Sequence, residues 1–146
     1  MSEDFFSRID KMLSSQEVDR KTEAAQADAA EKWATSAISK AREIAKHMQA
    51  ELRNRGISSE LSGSGTTITF VMKFRNGDRH SLYAGLDRPR KGIEYVGYYT
   101  EGGKDYSGTT GELYPESQWT ESGYEQRLQK HVEDYISFAP RHGGTV

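Results

Sequence analysis

The chain has 146 residues, a formal net charge of −2, no cysteine and only 34% hydrophobic residues. This length suits about one domain with a small hydrophobic core. The lack of cysteine excludes disulfide bonds, thiolate metal sites and a cysteine nucleophile. The chain has no apolar run long enough to span a membrane, and its acidic first residues lack the apolar segment of a signal peptide, so we expect a cytoplasmic protein.

The composition changes at Gly56. Residues 1–55 contain no glycine or proline and hold ten of the twelve alanines, whereas all 14 glycines, all three prolines and all eight tyrosines come later. Alanine favours helices, while glycine and proline interrupt them. We therefore expect helices before Gly56 and a sheet with turns after it.

The predicted helical part begins with a short amphipathic helix. Its apolar side chains recur at helical spacing and are Phe5, Phe6, Ile9, Met12 and Leu13. Ser14 and Glu17 have the spacing of a capping box, which indicates that a new helix begins there. Residues 17–32 are rich in alanine and charge, and residues 33–52 repeat apolar side chains like one face of a packed helix.

The length of this helical part raises a geometric question. One straight helix over residues 16–55 would be about 60 Å long, whereas the radius of gyration of a domain of this size is about 15 Å. We therefore expect a break or a flexible arm. A homodimer that pairs the N-terminal helices is the alternative.

The strands are indicated by alternation. Residues 67–75 alternate strictly and place Ile68, Phe70, Met72 and Phe74 on one face. A three-residue loop at 75–77 keeps that face apolar in the next strand, because it pairs Met72 with His80, Phe70 with Leu82 and Ile68 with Ala84. The other predicted strands are 57–61, 79–86, 93–100 and, more weakly, 105–113.

The last predicted element is a helix that Ser122 and Glu125 would cap and Pro140 would end. Its predicted inner stripe comprises Tyr124, Leu128, Val132, Tyr135 and Ile136. The element order predicts an α+β fold with N-terminal helices, an antiparallel sheet of four or five strands and a C-terminal helix on the same sheet face. We assign an N-terminal helical arm (1–32), a single α+β domain (33–138) and a flexible tail (139–146).

The sequence contains no pattern that we can assign to catalysis. The four histidines lack metal-ligand spacing, and we expect His131 on a helix surface. The glycine-rich stretch 61–67 precedes a strand and lacks the lysine of a phosphate loop, which favours a hairpin turn. We therefore expect no catalytic residue, no metal, no cofactor and no enzyme activity.

The charge is unevenly distributed. Residues 1–32 carry −3, residues 33–91 carry +6 and residues 92–146 carry −5. A nucleic-acid interface is therefore one alternative function, with Tyr83 as a stacking side chain. Its candidate residues are Lys73, Arg75, Arg79, Arg88, Arg90 and Lys91. Folding of the acidic C-terminal part against the basic middle is the competing interpretation.

The main hypothesis is a module that binds another protein without catalysis, as an adaptor or an immunity-type accessory protein. Two surfaces would serve it. The N-terminal apolar helix suits docking into a groove, and outward-facing tyrosines of the sheet suit an interface. The candidate residues are Phe5, Phe6, Ile9, Met12, Leu13, Tyr83 and Tyr98. A second alternative to this hypothesis is a small-molecule-binding protein or an enzyme of unidentified type.

Overall fold

The computed structural model describes residues 3–108 and 112–146. Its elements in chain order are helix α1 (Glu3–Asn54), strands β1 (Glu60–Gly63), β2 (Thr67–Lys73), β3 (Arg79–Asp87), β4 (Gly92–Glu101), β5 (Lys104–Gly108) and β6 (Leu113–Pro115), helix α2 (Glu121–Phe138) and a 3₁₀ helix (Ala139–His142). The predicted α+β fold with an antiparallel sheet is thus confirmed. No helical stretch in these residues is long and apolar enough to cross a membrane.

The sheet has the strand order β1-β2-β3-β4-β5, and β6 is added beside the beginning of β4. The weak strand predicted at 105–113 is therefore two strands in the structure. β5 pairs with the end of β4, and β6 pairs with Gly92, Ile93 and Glu94 at its beginning. Residues 109–111 of that prediction lie outside the described residues.

The register of the central hairpin confirms the prediction from alternation. Met72 faces His80, Phe70 faces Leu82 and Ile68 faces Ala84. The register follows the buried face because a shift by one residue would turn every apolar side chain of the strand towards water. The first strand starts later than predicted, at Glu60, and residues 57–59 form the connection from α1.

Both helices cover the same face of the sheet, which we call the inner face. The second half of α1 buries Ala34, Ala37, Ile38, Ala41, Ala45 and Leu52 there. Helix α2 adds Tyr124, Leu128, Val132 and Tyr135 to the same core. The small alanine side chains let the α1 backbone approach the sheet closely, while the tyrosines of α2 supply the volume.

The predicted break in the N-terminal helical part is wrong, because α1 is one helix of 52 residues. Its length is therefore about 78 Å. No glycine or proline interrupts it, and Glu17 forms an i,i+4 ion pair with Lys21 at 3.5 Å. A capping box stabilises only a helix end, where backbone N–H groups lack partners. Within a continuous helix those groups are already bonded, so the pattern at Ser14 and Glu17 has no effect.

Helix α2 differs from its prediction in two details. Its N-cap is Thr120, whose side chain accepts a hydrogen bond from the backbone N–H of Gly123, rather than Ser122. Ile136, assigned to the inner stripe, is 48% exposed, while His131 is only 2% exposed. The buried positions 124, 128, 131 and 135 follow the helical repeat, and Ile136 lies one position beyond it.

The last eight residues, predicted as a flexible tail, pack against the sheet and α2. Thr145 forms a β-bridge with Phe74, and the backbone N–H of Val146 donates to the Tyr135 hydroxyl at 3.1 Å. His142 is 5% exposed and its Nδ1 lies 2.8 Å from Oδ2 of Asp78. Ring stacking of Phe74 on both Tyr135 and His142 gives the tail an apolar anchor that sequence periodicity does not reveal.

The turn between β1 and β2 provides a test of this fold. Gly63 has φ +138°, and a Cβ there would collide with the backbone oxygen of Thr67. We expect Gly63→Ala to lower the free energy of unfolding by about 1–3 kcal/mol, measured by urea denaturation. Gly65→Ala is the matched control, because a Cβ at Gly65 meets no atom within 4 Å. Equal stability of the two variants would contradict the turn geometry.

Candidate functional site

The first candidate surface is the part of α1 that extends beyond the core, residues 3–32, which we call the arm. Every residue of the arm is exposed except Ile9 and Ala30, which are half-buried. Four of the five predicted apolar side chains are exposed, among them Phe6 at 52%, Met12 at 62% and Leu13 at 58%. The structure therefore brings the five predicted arm residues onto one side of a free helix.

The base of the arm contacts the turn between β3 and β4. Arg88 forms an ion pair with Glu31 at 3.1 Å, and Lys91 donates to the side-chain oxygen of Gln26 at 2.8 Å. Such exposed contacts contribute little to stability, about 0–1 kcal/mol each. They join the base of the arm to the β3–β4 turn, and residues 3–25 extend beyond them.

The second candidate surface is the outer face of the sheet, which neither helix covers. Tyr98 lies on it and is 46% exposed. Tyr83 is half-buried, and its ring lies 6.4 Å from that of Tyr98 in an edge-on arrangement. The Tyr83 hydroxyl lies over Gly85, where a Cβ would occupy its place. Tyr83 therefore packs within the sheet surface, and Tyr98 is the more accessible of the two predicted tyrosines.

The basic residues predicted for nucleic-acid binding lie in two groups. Lys73 and Arg79 face each other at one end of the β2–β3 hairpin, with Arg75 in the adjacent turn. Arg88, Arg90 and Lys91 follow the opposite end of β3, which has nine residues and is thus about 26 Å long. The structure does not bring the two groups together.

Most of these cations already contact other groups of the chain. Lys73 lies 3.6 Å from a Glu60 carboxylate oxygen, and the Arg75 side chain donates to the Thr145 carbonyl at 3.1 Å. Arg90 lies 2.6 Å from Asp87, and this hydrogen-bonded pair holds the pKa of Asp87 below its usual value. Glu60 and Asp87 belong to the basic middle itself. Among the six candidate cations, only Arg90 lies within 4 Å of a described carboxylate of the acidic C-terminal part, Glu94 at 3.1 Å, so the competing interpretation has support at that one position.

The structure also contains a half-open cavity that the sequence did not indicate. It has a volume of about 430 Å³ and lies on the inner face, between α2 and the strands β3, β4 and β5. Its lining includes His80, Gly97, Tyr99, Gly108, Arg127, His131, Asp134, Phe138 and Arg141. The cavity exists because α2 is narrower than the sheet and leaves the end of β4 and β5 uncovered.

Two histidines join the sheet to α2 at the wall of this cavity. The rings of His80 and His131 stack with centroids 4.1 Å apart and planes at 10°. Nε2 of His80 lies 3.1 Å from the carbonyl oxygen of His131, and Nε2 of His131 lies 3.2 Å from the carbonyl oxygen of His80. Since a carbonyl can only accept, we assign the hydrogen of each neutral ring to Nε2.

Burial is the main cause of a lowered pKa at both rings. For His131 the pKa lies well below 6.5, and the neighbouring His80 lowers it further. Each Nδ1 then carries a lone pair, and neither Nδ1 has a hydrogen-bond partner within residues 3–108 and 112–146. At neutral pH the pair can accept hydrogen bonds from a bound group but cannot donate a proton to one.

Sequence reasoning placed His131 on the helix surface, although a usable signal was present. Its position follows Leu128 by three residues and precedes Tyr135 by four, which is the spacing of the buried stripe. The pairing of His131 with His80 had no such signal, because it depends on where α2 crosses β3. No group of three or more potential metal-ligating side chains converges in the part of the chain that the structure describes.

The histidine pair predicts a pH dependence of stability. A histidine whose folded-state pKa is lowered binds fewer protons folded than unfolded, so its stabilising effect is complete above the unfolded pKa near 6.5 and is lost as the pH falls. We expect the free energy of unfolding to decrease between about pH 7.5 and about pH 5, above the range in which carboxylates titrate.

The matched variants are His131→Gln and His47→Gln. His47 is exposed on α1, so its replacement should leave the pH dependence of unfolding unchanged. Replacement of His131 should make the dependence shallower, even if it also lowers stability at neutral pH. An identical slope in both variants, measured by urea denaturation at each pH, would show that the pair does not titrate as described.

Comparisons with protein-family models, with curated proteins and with solved structures found no match for this chain. The surfaces and the cavity of the molecule are therefore the basis for inferring its function.

Proposed function

We propose that the protein binds another protein through the apolar stripe of the arm, which we define as Phe5, Phe6, Ile9, Met12 and Leu13. The observation that carries the proposal is the exposure of the whole arm, in which no residue is buried. In most helices, packing of an amphipathic face supplies the stability, and an unpacked helix is marginal in water. An exposed apolar stripe on such a helix therefore suits a partner that covers it.

The charge of the arm supports a particular kind of partner. Residues 1–32 carry −3, so pairing two copies of the arm would bring like net charges together. An apolar groove flanked by basic side chains would instead attract it. Helices dock into such grooves through side chains spaced three and four residues apart, as in the stripe. We therefore favour a different protein over a second copy of this chain.

The nucleic-acid alternative has less support from the arrangement of charge. Its candidate cations lie at opposite ends of β3, and Arg88 and Lys91 contact the arm. A continuous phosphate backbone needs a continuous basic groove or stripe. The same two side chains support the main proposal, because they orient the arm.

Site-specific photocrosslinking of the full chain in its own cells tests the proposal. A photoreactive phenylalanine analogue at Met12 should crosslink to one protein, identified by mass spectrometry. The same probe at Lys11 should not, because Lys11 lies on the opposite side of the helix. Capture of a second copy of this chain would show a homodimer instead of a different partner. Equal capture from both positions would show that the stripe is not the interface.

A pair of variants with the identified partner measures the contribution of the stripe. Phe6→Ser combined with Leu13→Ser should weaken binding by about tenfold or more, since buried apolar anchors dominate helix docking. Val18→Ser is the control, because Val18 is 61% exposed but lies off the stripe. Calorimetric titration gives the affinities. Equal affinities of the control and the stripe variant would contradict the proposal.

A further inference from the structure

The inner-face cavity has a floor made by two glycines. Gly97 of β4 and Gly108 of β5 face each other in the sheet. A Cβ at Gly97 would have Arg127 Nη2 as its nearest neighbour, at 3.9 Å, and a Cβ at Gly108 would have a Tyr99 ring carbon at 3.6 Å. A methyl group would thus fit at either position, yet both are glycine, which weakens a strand interior. Glycine in such a place often marks the close approach of a ligand or of another backbone.

The walls of the cavity consist of aromatic rings and arginine guanidinium groups. The Tyr99 ring lies beside the floor and stacks on Tyr106 with centroids 5.2 Å apart. Phe138 lines the opposite side, with the Arg141 guanidinium 4.9 Å from its ring centroid. Arg127, held at 3.2 Å by Glu112, extends over the floor. These groups suit a planar ligand that accepts hydrogen bonds from guanidinium groups.

The histidine pair supplies the complementary polar groups. His80 and His131 both use Nε2–H to bond the backbone, so each presents Nδ1 as an acceptor. Both rings line the cavity, and neither Nδ1 has a partner among the described residues, so a ligand N–H can supply the donor. The charges around the cavity are balanced, with Arg127 and Arg141 opposed by Asp134 and Glu101, so a neutral ligand fits better than an ion.

We propose that this cavity binds a neutral planar heterocycle, about the size of a nucleobase, that carries both ring N–H donors and carbonyl acceptors. The cavity volume of about 430 Å³ lies within the range of small-molecule sites, about 300–1,000 Å³. The ring lies at the Gly108 end of the floor, beside the Arg127 guanidinium that extends over Gly97. The histidine Nδ1 atoms accept from its N–H groups, and the arginines donate to its carbonyl oxygens. This site is separate from the protein-binding stripe of the arm.

Uracil and 1,3-dimethyluracil are the probes, because they share a ring and both carbonyls and differ only in the N–H donors. The full chain with ¹⁵N-labelled histidine reports Nδ1 of His80 and His131 directly by NMR. Uracil should shift these signals saturably with a dissociation constant of about 1 mM, as expected for so small a ligand. Dimethyluracil should bind at least about tenfold more weakly. Equal binding of both, or no saturable shift with uracil, would overturn the proposal.

Gly97→Ala and Gly108→Ala locate the binding. Both positions tolerate a Cβ at ordinary contact distances, so the variants should keep the melting temperature of the parent. Each should weaken uracil binding by about tenfold, because the new methyl group occupies the floor of the site. Gly65→Ala is the control, because Gly65 lies in the turn between β1 and β2 and does not line the cavity. This variant should bind uracil as the parent does. Unchanged uracil binding in both floor variants would exclude this cavity as the site.

Discussion

The structure depends on covering one face of a strongly alternating sheet. Ile68, Phe70 and Met72 are completely buried, and that burial requires a layer of helix over the sheet. Burial of such side chains contributes about 1.5–3 kcal/mol each. Neither helix is wide enough to cover the face alone, so α1 and α2 lie on it together and contact each other.

The same requirement explains the form of the arm. The second half of α1, from Ala34 to Leu52, packs on the sheet. This packing sets the direction in which the first half of the helix leaves the domain. Helix propensity then extends it without interruption, since residues 1–55 contain no glycine or proline. The core thus orients a free helix, with a further contact from Arg88 to Glu31. The display of apolar side chains at a distance from the domain thus follows from one uninterrupted helix.

The inner face is left partly uncovered beside α2. Helix α2 crosses β3 at His80, and the end of β4 with β5 lies beyond its edge. The reciprocal bonds between the two histidines join α2 to β3 at this crossing. Beyond them, Gly97 and Gly108 leave space where other residues would have filled the gap. The position at which α2 crosses β3 thus produces both the cavity and the histidine pair.

Local sequence signals predicted the element types and the β2–β3 register. Each depends on composition or on a period of two or 3.6 residues, which can be counted along the chain. The same signals predicted the apolar stripe of the arm, since Phe5, Phe6, Ile9, Met12 and Leu13 recur on one helix face. They failed at Ser14, where a capping pattern occurs inside a helix, because a pattern does not show whether the helix ends there.

Tertiary structure alone decided the continuation of α1 as a free arm, the packing of the last eight residues and the pairing of His80 with His131. These features join residues far apart in sequence, such as Thr145 with Phe74, and no local period reports such contacts. The cavity also depends on tertiary structure, because it lies where the sheet extends beyond the helix that covers it. Composition indicates which residues are buried, whereas only the placement of whole elements determines the space left between them.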